Sequence, residues 1–206
     1  MRSIYITTFA VLCILSCKNT EEEKIVDNLP ESKKTTIKTN ENQQEKISDS
    51  YFIIPGNKLG SIRLNSTIAA VYDSLGTPTS GDAAMQKSLS MWLSRTDVLT
   101  IFSANDPNTS DGHIIKLVRS TTPNFKTKDG IGKGSSMAYI KENFKIEKVG
   151  SFTENNSDFD LYATQEGISF EFNSENICTG IIIHNLEIQS GITYLPIYEK
   201  FVPAIN

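Results

Sequence analysis

Three features of this 206-residue chain predict an α+β fold of two tandem units, each a short helix packed on an antiparallel three- to four-stranded meander. The stretch Ile62-Arg-Leu-Asn-Ser-Thr-Ile-Ala-Ala-Val-Tyr-Asp-Ser-Leu-Gly76 recurs, 69 residues on, as Ile131-Gly-Lys-Gly-Ser-Ser-Met-Ala-Tyr-Ile-Lys-Glu-Asn-Phe144. Each copy has apolar residues at helical spacing behind a Ser/Thr start. Each is followed by strand-like apolar runs at nearly the same offset, as duplication with loop drift predicts.

The chain opens with Arg2 and a short apolar core from Ile4 to Leu15, too short to span a bilayer and patterned like a removed export signal. Its end, Ile14-Leu15-Ser16-Cys17, resembles the bacterial lipobox. That resemblance implies cleavage after residue 16 and acylation of Cys17, a palmitate-type anchor contributing roughly 0.8 kcal/mol per buried methylene. Lys18 and the acidic run Glu21-Glu22-Glu23 are similar to the surface-export signal of Bacteroidetes lipoproteins. Outer-membrane attachment in the cell envelope, on its periplasmic or surface face, is the expectation.

Residues 17–50 form the expected tether. From 18 to 50 there are six Lys, six Glu, two Asp and no aromatic residue. So polar a segment cannot offset the entropy of ordering, and 33 such residues would reach on the order of 30 Å. The net charge of −4 for the whole chain offers nothing to nucleic acid, and the basic residues are not interleaved with aromatics.

Residues 51–206 are long enough for one sizeable core and divide into repeats at about 55–122 and 123–190 plus a C-terminal segment. Tyr51–Pro55 reads as a lead-in strand. In the first repeat Ser66 is the expected N-cap, and Ile68, Val71, Tyr72 and Leu75 make one helical face ended by Gly76 and Pro78. Strands are expected at 91–95, 98–102 and 114–118. In the second repeat Ser135 or Ser136 caps a helix bearing Met137, Ile140 and Phe144, and strands are expected at 160–164, 168–171 and 181–185. The Pro-punctuated stretch 192–203 reads as an extended segment over the core, or else as an aromatic lip.

Gly60, Ile62, Thr67, Val71, Leu75-Gly76-Thr77-Pro78 and Trp92 together make a pattern that resembles the small outer-membrane lipoproteins of the SmpA/OmlA (BamE-like) group. The tandem arrangement is similar to the β-lactamase-inhibitor-protein fold. The likeness covers residues 60–186 in pattern only, and Phe144 lacks the Gly-x-Pro that ends the first copy. It implies an α+β scaffold for protein binding and carries over no functional residue.

Catalytic chemistry is poorly represented. With Cys13 in the signal and Cys17 acylated, Cys178 is the one remaining thiol. Its nearest histidine in sequence, His184, would stand about 20 Å away along a strand. The other histidine, His113, is not at an equivalent position. No HxH, HExxH or CxxC spacing occurs. The loop Asn105–Gly112 is rich in oxygen ligands, but turn residues explain it and it lacks an EF-hand's closing Glu. Asp129–Ser136 is Gly-rich but is not a Walker loop, because Gly134 separates Lys133 from Ser135.

The expected function is therefore a membrane-anchored, non-enzymatic envelope lipoprotein that binds a protein or peptide, with no cofactor and no metal. A small-molecule or glycan-binding lipoprotein stacking its ligand on Trp92, Tyr162 and Tyr194 is the alternative. An envelope hydrolase built on Asp158 or Asp160 is the third.

Overall fold

A computed structural model describes residues 49–107, 112–186, 198 and 200–204. A 3-10 turn (Asp49–Tyr51) leads into β1 (Ile53–Ile54), β2 (Lys58–Leu59) and β3 (Ile62–Arg63), which pair as a small sheet of their own. Helix α1 (Ala69–Leu75) precedes β4 (Ser80–Ala84), β5 (Lys87–Leu93), β6 (Val98–Asn105) and β7 (His113–Ser120). Helix α2 (Met137–Asn143) precedes β8 (Glu147–Glu154), β9 (Ser157–Ala163), β10 (Ile168–Phe172) and β11 (Cys178–His184). The last element is β12 (Val202–Pro203).

Strands β4 to β12 form one antiparallel sheet of nine, in the order β12-β8-β9-β10-β11-β7-β6-β5-β4. This corrects the expectation of two tandem helix-on-meander units. The described chain is mostly β, and β7 and β11, the last strand of each meander, pair with each other from Ile181↔Ser120 to His184↔Leu117. The reason lies in composition. Ile181, Ile182 and Ile183 are all fully buried, so β11 must be covered on both faces and flanked on both edges. A seven-residue helix is only about 10 Å long and cannot roof a separate meander.

The helices contribute little area. Val71 is the buried residue of α1 and Ile140 that of α2, while Tyr72 and Leu75 stay exposed. Ser66 is not the N-cap; its hydroxyl donates to the Arg63 carbonyl, and the Thr67 hydroxyl accepts from the Ala69 N–H instead. Ser136 does cap α2, accepting from the Tyr139 N–H at 3.2 Å. Of the expected lead-in strand Tyr51–Pro55 only Ile53–Ile54 is a strand, β1 of the small sheet, and Tyr51 ends the 3-10 turn.

Two apolar clusters lie on the sheet. The larger joins Val71 and Ile140 to Ile101, Val118, Phe170, Phe172, Ile181 and Ile183. The smaller joins Leu89, Phe102, Leu117, Leu161 and Ile182 to Tyr198 of the C-terminal segment. Phe201 lies directly over Gly150, where any side chain would overlap its ring. Residues 187–197, most of that segment, are outside the described residues, as are the expected signal and all but the end of the expected tether.

Candidate functional site

The two ends of the large sheet differ. At one, β12 pairs the outer side of β8 through Val202↔Ser151 and Pro203↔Gly150. At the other, β4 is paired on one side only, by β5 from Ser80↔Met91 to Ala84↔Lys87, and all five of its residues are exposed. No described strand meets its outer side. An edge of this kind offers main-chain donors and acceptors to an added strand. The Ala83 N–H is held by its neighbour's carboxylate, Asp82 Oδ1, at 2.8 Å.

The β4–β5 turn is Met85-Gln86. Both residues have positive φ, 51° and 62°, the conformation a tight two-residue hairpin requires. Asn155-Asn156, in the β8–β9 turn, has nearly the same angles, 51° and 61°. Asparagine tolerates this region, whereas other side chains carry a cost of about 1–2 kcal/mol. Met85 is 93% exposed, so no packing offsets that cost. The Asn105 N–H, from the end of β6, donates to the Gln86 carbonyl at 2.8 Å and fixes the tip. Sequence reading passed over this hairpin because Met-Gln is not a turn dipeptide and Ser-Gly-Asp-Ala-Ala is not a strand pattern.

The expected binding residues do not come together. Trp92 on β5 packs against Tyr72, rings 5.9 Å apart, and donates from Nε1 to the Gly76 carbonyl. Tyr162 on β9 meets Phe172 edge-on at 5.5 Å. Both are half-buried against the larger cluster, and five strand spacings, about 24 Å, separate them. Tyr194 is outside the described residues, as is Cys17.

Reactive groups are held in inert settings. Burial, then the charge of Glu171, pushes the Cys178 thiol up to about 12. No turn separates Cys178 from His184; both lie on β11. Burial lowers the pKa of His184, whose Nε2 lies 3.1 Å from the Ser169 hydroxyl and whose Nδ1 lies 3.0 Å from the Asn185 carbonyl. His113 Nδ1 is 3.2 Å from the Ser88 hydroxyl, which in turn bonds Ser103. Asp160 binds Lys148 and Ser151, and Asp158 binds Thr153, so each carboxylate has a neighbour on β8. Among the described residues no three His, Cys, Asp or Glu side chains are grouped to hold a metal ion. The Asn105–Gly112 loop is described only in part.

A cleft of about 610 Å³ lies apart from the hairpin, lined by Phe52, Ile54, Pro55, Lys128, Glu142 and Phe144 among others. No helix among the described residues is long and apolar enough to cross a membrane.

These features define a predominantly β protein with one wide antiparallel sheet, edged by β4 at one end and by the two-residue β12 at the other. No protein-family model matches the chain, and no curated protein matches it. Among solved structures it is similar to a cysteine-rich secretory protein from Staphylococcus aureus subsp. aureus Mu50, with 12% identity over 73% of this chain and a TM-score of 0.42. It is also similar to an extracellular protein containing a SCP domain from Bacillus anthracis str. Ames, with 8% identity over 85% of this chain and a TM-score of 0.41. The chain spans 56% and 55% of those two chains. Similarity this low carries no functional argument.

Proposed function

We propose that this chain is a lipid-anchored, non-enzymatic protein of the bacterial envelope, at the outer membrane, and that it binds another envelope protein by main-chain pairing along β4. The observation that carries the binding half is the outer side of β4, unpaired by any described strand over five exposed residues, where the opposite edge is the two-residue β12. The anchoring half rests on Ile14-Leu15-Ser16-Cys17 and the polar stretch behind it.

Two variants test it. Cys17→Ser removes the acylation site and is expected to abolish fatty-acid labelling and move the chain from membranes to the soluble fraction. Ala83→Pro gives up the local, exposed Ala83 N–H to Asp82 bond and places a ring on the outer side of an edge strand, which blocks an added strand. It is expected to leave the unfolding transition in place and to abolish partner binding. Persistent membrane attachment of the first variant, or undiminished binding by the second, overturns the corresponding half.

A second reading, small-molecule or glycan binding, is favoured by the cleft that Phe52 and Phe144 line beside Lys128 and Glu142. Loss of glycan retention on Phe144→Ala would select it.

A further inference from the structure

We propose that Tyr198 and residues 200–204 form a latch, with the Tyr198 hydroxyl as its catch, that leaves the sheet as a unit and bares the outer side of β8 as a second pairing edge. This device is independent of the reading of β4. The backbone attachment of the latch is slight. β12 meets β8 through two register pairs, whereas β8 and β9 share seven. Val202 and Pro203 are both exposed, and proline has no N–H to give. The Ala204 N–H donates to the Val149 carbonyl at 3.0 Å. Lys200 has a φ of 68°, a region unfavourable to lysine.

Two aromatic side chains do most of the holding. Tyr198 is buried, its ring centroid lies 4.1 Å from that of Phe152, and its hydroxyl donates to Glu171. Phe201 fills the space over Gly150 that a side chain there would need.

Release orphans no charge. Glu171 keeps both hydrogen bonds from Arg119, whose Nη2 also lies 3.4 Å from Glu154. Opening therefore forfeits one hydrogen bond and the cover of two rings, without the large penalty of an unpaired buried ion. Weakly paired elements open locally ahead of a well-paired body. In the closed form β12 occupies the outer side of β8 at Gly150 and Ser151. In the open form all of Glu147–Glu154 is free to take an added strand, beside the uncovered Phe152 and Leu161.

The full chain carries its own probe, a trypsin site at Lys200 followed by Phe201. Cleavage there follows the open fraction when opening and closing are fast. Mass analysis is expected to show cleavage of that bond in the native protein, with a urea dependence much shallower than that of global unfolding. Tyr198→Phe is expected to raise the rate about ten-fold. Hydrogen exchange of the Ala204 amide should rise in step, while that of the Ile182 amide in β11 stays unchanged. The paired substitution Ser151→Cys, Val202→Cys joins Cα partners across β8 and β12 and is expected to abolish the cleavage until reductant is added. Cleavage that follows global unfolding, an unchanged rate in Tyr198→Phe, or cleavage undiminished by the crosslink overturns the proposal. Should Tyr198→Phe weaken the whole fold, the oxidised and reduced forms of the cysteine pair still compare latched with free in one chain, and equal rates overturn it.

Discussion

Arg119 and Glu171 meet in a buried fork across a strand that separates them. Arg119 Nε donates to Glu171 Oε1 at 2.6 Å and Nη2 to Oε2 at 2.8 Å, with 4% and 1% of the two side chains exposed. Arg119 is on β7 and Glu171 on β10, and β11 runs between. The bridge passes where β11 carries Gly180, opposite Glu171. The Tyr198 hydroxyl also donates to Glu171, and the Arg119 guanidinium lies 5.9 Å from the Tyr198 ring. Neighbouring Glu171 raises Arg119 above its ordinary value despite the opposing effect of burial.

Removing one partner should therefore cost far more than removing both. Glu171→Ala leaves the buried guanidinium with only the half-exposed Glu154 carboxylate, 3.4 Å from Nη2, and is expected to lower unfolding free energy by about 3–5 kcal/mol. The double variant Arg119→Met, Glu171→Leu is expected to recover most of that loss. Urea unfolding of the three chains checks the order.

Gly180→Ala should be destabilising through one identifiable clash. An added Cβ would overlap the Glu171 carboxylate, which the fork prevents from moving away. Overpacking of this kind costs about 1–3 kcal/mol. In a Glu171→Ser background the same substitution is expected to cost much less. A double-mutant cycle reads the coupling.

Stability should fall on mild acidification through His184. Burial holds its folded-state pKa below the ordinary value of 6.5, so below that pH the unfolded chain takes up the proton first. The contribution is fully present above about pH 6.5 and is lost as the pH falls toward the folded pKa. His184→Gln is expected to flatten that part of the curve relative to the parent chain. Denaturant midpoints from pH 8 to pH 5 measure it.

Cys178 should resist alkylation in the native protein at pH 8. Its pKa near 12 leaves almost no thiolate, and its Sγ is buried 3.4 Å from the Gly180 carbonyl. Iodoacetamide labelling followed by peptide mass analysis is expected to modify the Cys178 peptide only after unfolding.

Legibility in the sequence followed locality. The apolar runs at 98–102, 114–118, 168–171 and 181–183 all lie inside strands, because continuous burial leaves a compositional trace. Strand β4 left none, since Ser80–Ala84 is a strand only by virtue of lying beside β5. Ser66 had the right chemistry and the right spacing for a cap, yet its hydroxyl turned to Arg63 while the Ser66 carbonyl took the Ile115 N–H. The buried fork left a faint signature: Glu171 is the one charge in β10, and Arg119 is one of two cations, with Lys116, in β7. Pairing those charges across an intervening third strand required knowing the strand order.

The linear chain alone determined the positions of its most apolar strands and narrowed the start of α2 to Ser135 or Ser136, because each depends on a residue and its near neighbours. Only the tertiary structure decided that two meanders join as one sheet through β7 and β11, that β12 adds to the β8 edge while no described strand joins the β4 edge, and that Trp92 and Tyr162 sit far apart. Those outcomes turn on hydrogen bonds between segments tens of residues apart, where burial of both faces of β11 outweighs anything a local pattern can specify.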